Sequence, residues 1–513
     1  MIEEREVKQI VRAVLDSMTD DGDATGAAAA GAATAGNAAP AAGSTGAEPS
    51  SSAATNGSAG AGPTPGSRQT PLERGVFLSM DQAVAAARTA FAQLSETSLE
   101  TRRRMVASMR RVAAEHVESI SGLAARETGL GRAEDKVIKN LLAINKTPGV
   151  EDLEPISFTD DDGLTLTERA PYGVIGAITP STNPTETIIS NSIGMISGGN
   201  TVVFNAHPAA AGCSRLTVSL LNEAIVEAGG PENVIATVKE PTIESADYMM
   251  HHNGIAMLVV TGGPGVVRAA MQTTKKVIAA GPGNPPAVVD ETADIQKAAR
   301  DVVLGGSLDN NIICTDEKVI LAVSSIADEL KAEMKKHQAI ELTPEQTQAI
   351  TELVIAKPGS EGVEGAPNKK YVGKNAAVIA EAVGMHVPSD TRMLFCEVNA
   401  EHPLVWTEQL MPVMPLVRFQ NVDEAIDFAV KCEHGFRHTA SMHSRNIDKL
   451  SKMARAMNCS LFVKNGSNFN GLGQGGAGYA SFTIASPTGE GFTRARTFTR
   501  LRRCTLVGAF RIV

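Results

Sequence analysis

No stretch of the sequence approaches the roughly 18 consecutive apolar residues that a membrane-spanning helix needs. The first ten residues, MIEEREVKQI, are charged where a secretory signal would be apolar. Neither membrane insertion nor export is expected, and the reading is a cytoplasmic chain. Basic excess is also missing: 47 Lys and Arg against 57 Asp and Glu leave a net charge of −10, so a nucleic-acid partner is not expected. Cysteine is sparse, with Cys213, Cys314, Cys396, Cys432, Cys459 and Cys504 scattered through 513 residues and no CxxC among them. That pattern predicts reduced thiols rather than a disulfide framework. No metal-ligand constellation and no repeat of solenoid period is evident.

What is present falls into three segments. Val7, Ile10, Val11, Val14, Leu15 and Met18 recur at spacings of three and four, with Glu3, Glu4, Arg5, Lys8, Gln9 and Arg12 on the other face. This predicts an amphipathic helix over residues 1–18. Of the fifty positions from Asp21 to Thr70, all but seven are Ala, Gly, Ser, Thr or Pro, and none is an apolar residue larger than Ala. Such a segment cannot offset the entropy of ordering, so 19–72 reads as a flexible linker whose alanines inflate the 43% hydrophobic fraction. A helix this short is marginal alone in water. It either folds back on the body or docks into a groove of another protein, and the linker favours docking.

From about residue 73 the pattern turns globular. Helical stretches such as DQAVAAARTAFAQL come first, with Gly129 as a plausible C-cap. Apolar runs then alternate with helical ones: YGVIGAITP, NTVVFN, NVIATV, GIAMLVVTG, KKVIAAG and PAVVD. Alternating βαβ units predict α/β architecture with parallel sheets covered on both faces.

Three places could carry chemistry. Cys314 lies in a small, polar loop entering a β-type run, where reactive groups are often presented, although an arbitrary intracellular Cys is more often a small buried hydrophobe. Thr179, Pro180, Ser181, Asn183 and Pro184 form a turn between a strand and a helix, and the next strand ends at Asn205 and His207. Strand ends of this kind bind nucleotides in α/β proteins, and a Pro-bounded Asn side chain can donate to an oxyanion or simply complete a turn. The third is VVTGGPGVVRAA, whose Gly262 and Gly263 would let a ligand approach a helix N-terminus; a lone turn of this kind is as often plain geometry.

The order of these pieces is more specific than any one of them. An Asn183-Pro184 turn, NTVVF, TGG, GPGNPP, then Cys314 and EQLMPVMP resembles the aldehyde dehydrogenase superfamily, from about residue 75 to the C-terminus. TPSTNPTET, FNAHP, HTASMHS and SFTIASPTGEGFTRARTFTRLRRC are similar to its CoA-acylating members from bacterial microcompartments, of propionaldehyde dehydrogenase type. The resemblance implies Cys314 as nucleophile and Asn183 as oxyanion donor. Thr179, Pro180, Ser181, Asn205, His207, Gly262 and Gly263 would line the nucleotide site, and Glu408 would hold the nicotinamide ribose. It also implies a Rossmann-like NAD-binding domain (73–280, completed by 463–513), a catalytic domain (281–462), and an oligomerisation arm built from a hairpin near 155–170 and the C-terminal strand. Residues 1–18 would be an encapsulation peptide that meets a shell protein or another encapsulated enzyme.

Hydrolytic members of the family carry a general-base Glu where this chain has Ala279, in AAGPGNPP. Without it a Cys314 thioester would wait for a thiol, so the expectation is oxidation of a short-chain aldehyde to its acyl-CoA with NAD and coenzyme A. Asn205-Ala206-His207-Pro208 replaces the family's Lys-Pro-Ser-Glu, so NADP stays open beside NAD. Two alternatives remain: a hydrolytic enzyme that recruits Glu291 or Glu317 as base, and an inactive shell-associated scaffold.

Overall fold

A computed structural model describes residues 73–513; the amphipathic helix and the linker lie outside the described residues. Eight strands precede Gly281: β1 (Val76–Phe77), the hairpin β2 (Ile156–Asp160) and β3 (Gly163–Pro171), then β4 (Val174–Ile178), β5 (Thr201–Asn205), β6 (Ile235–Val238), β7 (Met257–Thr261) and β8 (Lys276–Ala280). Six of them form a parallel sheet in the order β1-β6-β5-β4-β7-β8. The helices around it are α1 (Met80–Ser95), α2 (Leu99–Glu115), α3 (Val117–Thr128), α4 (Ala133–Lys146), α5 (Pro184–Ser197), α6 (Ala211–Glu227), α7 (Ile243–His251) and α8 (Pro264–Met271).

The continuous apolar runs of these strands follow from cover on both faces. Side chains alternate across a strand, so one set, including Ile175, Ala177, Val202, Phe204 and Val259, enters the core shared with α2 to α6. The other set, including Val174, Ile178, Val203, Leu258 and Val260, packs with α1 and α7. Helix ends have local causes: Ser79 accepts from the Gln82 N–H at the start of α1, and Gly129, at φ 64°, ends α3 in the left-handed conformation that favours glycine.

A second parallel sheet follows: β9 (Pro286–Val289), β10 (Val319–Val323), β11 (Ala339–Glu341), β12 (Met393–Glu397), β13 (Val413–Phe419), β14 (Thr439–His443) and β15 (Leu461–Lys464). Their order is β11-β12-β13-β10-β9-β14-β15, with its own apolar core around Val288, Leu321, Leu416 and Met442. The hairpin β2-β3 is joined by β16 (Thr499–Val507), which pairs antiparallel with β3 from Pro171 to Gly163. The strand begins at Thr499, before Cys504, and stops at Val507 because Gly508, at φ 68°, turns the chain away. This three-stranded arm leaves Ile156, Phe158, Leu501 and Val507 exposed.

Candidate active site

In the first sheet the chain winds outward from β4 in both directions, so the loops after the neighbouring strands β4 and β7 diverge and leave a crevice at the C-terminal edge, where α/β sheets bind ligands. Ile178 is in register with Asn205 on one side and Val260 on the other. The segments after these three residues therefore open at one level. They contain Thr179 to Asn183, Asn205 to His207, and Gly262 with Gly263. Gly263 caps α8, and nothing lies within 4 Å of the position a Cβ would take at Gly263 or Gly265. Thr179 Oγ1 is buried without a partner among the described residues. Open space, helix N–H groups and an unpaired hydroxyl fit a dinucleotide's pyrophosphate. Pro180 and Ser181 are half-buried beside them. The Asn205 side chain turns to α7 instead, donating to Thr242 O at 3.2 Å and accepting from Ser245 Oγ at 2.5 Å. His207 Nδ1 accepts from the Ala209 N–H at 3.1 Å, and burial, then Lys369, press its pKa below the usual histidine value.

Cys314 is held at the opposite polarity, ahead of a strand of the second sheet. Asp309, Asn310 and Asn311 are all left-handed, with φ of 46°, 56° and 64°, a conformation that Asn and Asp tolerate better than other side chains. The amides lock the turn: Asn310 Nδ2 donates to Gly373 O and Asn375 Oδ1, each at 2.8 Å, and Asn311 Nδ2 donates to Gly306 O at 2.9 Å and Glu317 O at 2.8 Å. After Cys314, the residues Thr315, Asp316, Glu317 and Lys318 are fully buried. Lys318 Nζ donates to the carbonyls of Asn311 (3.3 Å), Ile313 (2.9 Å) and Asp316 (3.2 Å), so the loop wraps an ammonium. The GPGN segment before β9 passes alongside. A Cβ at Gly283 would sit 2.6 Å from Cys314 O, which accounts for glycine there, and the Gly283 N–H donates to Glu408 Oε1 at 3.2 Å. Cys314 and Glu408 thus meet through one glycine.

Asn183, from the first sheet, is joined through Lys139 to the Asp309 turn that precedes Cys314. It precedes α5, which starts with Pro184, and it is buried. Its Oδ1 accepts from Lys139 Nζ at 2.5 Å, while Nδ2 donates to Thr182 Oγ1 at 3.2 Å. Lys139 also pairs with Glu186 at 3.2 Å and with Asp309, and Lys136 Nζ donates to Asp309 Oδ2 at 2.9 Å and Thr182 O at 3.2 Å. Both lysines, on α4, are fully buried.

A sequence model of the aldehyde dehydrogenase family matches residues 74–486, most of the chain. The chain belongs to the aldehyde dehydrogenase family. It is 52% identical over 442 residues to the acetylating acetaldehyde dehydrogenase EutE of Escherichia coli, covering 86% of this chain and 94% of that one. To the CoA-propanoylating propanal dehydrogenase of Salmonella typhimurium it is 45% identical over 448 residues, covering 86% and 95%. Among solved structures it is similar to a Rhodopseudomonas palustris propionaldehyde dehydrogenase with bound CoA and an acylated cysteine: TM-score 0.83, 49% identity, 86% of this chain and 99% of that one. A propionaldehyde dehydrogenase from a Clostridium phytofermentans fucose-utilisation microcompartment gives TM-score 0.83 and 45% identity over 86% and 100%.

In this aldehyde dehydrogenase Cys314 is half-buried, and the residues that follow it are enclosed. Burial, then the charge of Glu408, push the thiol up to about 12, against an opposing pull from Lys318. Burial lifts Glu408 to about 7. His438 is buried with Nδ1 2.8 Å from Thr439 Oγ1, and its Nε2 has no partner among the described residues. Burial and Lys318 drive its pKa down to about 3, so the ring is neutral. His434 instead faces Trp406 O at 3.0 Å. Neither rival base stands ready for water. Glu317 is enclosed, accepts from the Asn468 N–H at 2.8 Å, and is pushed by burial to about 8. Glu291 is exposed in the turn beyond β9, and Ala279 is buried in β8. Lys136, Lys139, Asp309 and Lys318 carry no motif that singles them out in the sequence. Among the described residues no helix is long and apolar enough to cross a membrane, and no group of three or more His, Cys, Asp or Glu is placed to hold a metal ion.

Proposed function

We propose that this aldehyde dehydrogenase converts a short-chain aldehyde to its acyl-CoA through a thioester on Cys314. The observation that carries the reading is the segment beside the thiol: Ala279, buried in β8, stands where hydrolytic members carry their general base, Glu317 is locked away, and Glu408, the carboxylate that the GPGN loop does hold near Cys314, is engaged by the Gly283 N–H. Water goes unactivated, whereas a thiol nucleophile needs far less activation. The CoA-acylating activities of the relatives agree.

Cys314 gives up its proton to solvent, and its sulfur bonds to the aldehyde carbon. Asn183 Nδ2 and the Cys314 backbone N–H receive the developing oxyanion. Thr179, Gly262, Gly263 and Glu408 would hold NAD(P), which when bound supplies the acceptor for the hydride leaving that carbon. The thiol of the substrate CoA then displaces Cys314 from the acyl group, and the acyl-CoA leaves with a new C–S bond. The test compares NADH formation with and without CoA and identifies the product by mass spectrometry. Acyl-CoA made only when CoA is present, and lost in Cys314→Ala, is the expected result; free acid formed without CoA overturns it.

Residues 1–18 would serve as an address for encapsulation in a bacterial microcompartment, through a shell protein or another enclosed enzyme, and the arm would join copies of the chain. The amphipathic spacing and the microcompartment origin of the Clostridium relative support the first; the exposed apolar arm supports the second. Fusing residues 1–18 to a fluorescent cargo should send it into co-expressed compartments, and diffuse cargo refutes the address.

A further inference from the structure

Lys139 carries more than a buried charge. An ammonium has three donors and no acceptor, so the oxygen of the Asn183 amide must face it, at 2.5 Å. The flipped amide would set NH2 against NH3+. Of the two amide hydrogens on Nδ2, one is taken by Thr182 Oγ1 at 3.2 Å, which leaves a single hydrogen free. In a dry site, a cation on the amide oxygen draws electron density from the nitrogen and makes that remaining N–H a stronger donor. The same Nζ pairs with Asp309, five residues ahead of Cys314 and fixed in the left-handed turn. Asp309 Oδ1 also accepts from the Arg132 N–H at 2.6 Å, at the entrance to α4. One side chain therefore touches both the segment that presents Asn183 and the segment that presents Cys314, which belong to different sheets. Burial opposes charge on Lys139, but Asp309 and Glu186 outweigh it and hold its pKa above the usual lysine value.

We infer that Lys139 is a positioning residue for acylation: it orients and polarises the Asn183 amide as oxyanion donor and, through Asp309, keeps that donor in register with Cys314. The inference rests on the roles of Asn183 and Cys314 proposed above. Lys136 stays paired with Asp309 when Lys139 is replaced, so the turn keeps one of its cations.

The experiment is a double-mutant cycle in the full-length enzyme, with Asn183→Ala, Lys139→Met and the two combined, read as kcat and aldehyde KM for CoA-dependent NADH formation. Alkylation of Cys314 by iodoacetamide serves as a second readout. Removal of an oxyanion donor costs about 10² to 10³ in kcat. Asn183→Ala should fall in that range and Lys139→Met by about 10²-fold, with KM and the alkylation rate changed less than threefold. The combined variant should lie within threefold of Asn183→Ala alone. Should Lys139→Met fail to fold, Lys139→Met/Glu186→Gln, which removes one charge of each sign, replaces it in the cycle. Losses that multiply, or a Lys139 variant at the parental kcat, overturn the inference while leaving Asn183 in its role. An Asn183→Ala enzyme at the parental rate instead overturns the role of Asn183 itself.

Discussion

A half-buried thiol whose neighbour Glu408 opposes its ionisation should be slow in the resting enzyme, and the size of the effect can be worked out. Burial and Glu408 place the Cys314 thiol at about 12, so at pH 8 roughly one molecule in 10⁴ carries a thiolate. An unstructured cysteinyl peptide of pKa about 8.5 is about one-quarter thiolate at that pH. The ratio is roughly 2.5 × 10³. A more basic thiolate is intrinsically more reactive, with a Brønsted slope of about 0.4 to 0.5, which returns roughly 10^1.5. In enzyme free of nucleotide, Cys314 should therefore be alkylated by iodoacetamide roughly 10²-fold more slowly than the peptide in the same tube, as measured by mass spectrometry. Glu408 adds a pH signature. It repels the thiolate only when ionised, and its own pKa lies at about 7, so Glu408→Gln should leave the rate unchanged at pH 6. At pH 8.5 the same variant should raise it by roughly tenfold. A Cys314 that reacts as fast as the peptide, or a Glu408→Gln effect equal at both pH values, would refute the reasoning.

Three further outcomes follow from other parts of the molecule. Lys318→Met removes the cation enclosed by three carbonyls and should slow Cys314 alkylation at pH 8 and lower stability to urea by about 1–3 kcal/mol; faster alkylation contradicts it. Gly131 sits at φ 73° with the Asp309 carboxylate where a Cβ would go, so Gly131→Ala should cost about 1–3 kcal/mol. An unchanged thermal midpoint would show that the turn yields. Phe158→Asp combined with Leu501→Asp charges the exposed face of the arm and should give a lighter species in sedimentation with its backbone circular dichroism intact; an unaltered sedimentation coefficient argues that the arm does not join subunits.

Much of the first sheet is legible because strands covered on both faces must be apolar throughout, and Gly, Pro and Asn punctuate their ends. Thr179, Asn183, Gly262 and Gly263 stand out for that reason. The supports of the site do not stand out. A helix with Lys136 and Lys139 three apart reads as a solvated face, since lysine is almost never fully buried unless paired. Its partners are Glu186 and Asp309, the latter some 170 residues away in sequence. TDEK after Cys314 reads as an exposed charged loop for the same reason, yet all four residues are enclosed. Asn205 shows the opposite limit: a strand-end position marks it as a ligand contact, but Thr242 and Ser245, at the start of α7, take its side chain.

The pairing of β16 with β3 sets a schedule for synthesis. Thr499 follows Pro171 by 328 residues, and at about 5 to 20 residues per second a ribosome takes roughly 15 to 65 s to cover that distance. For that interval the nascent chain holds β3 with an open edge on the side away from β2, an invitation to pair with the same edge on a neighbouring nascent chain. Slower growth or a chaperone at the ribosome would then decide how much enzyme survives, although every residue of the site is made before the strand that closes the arm.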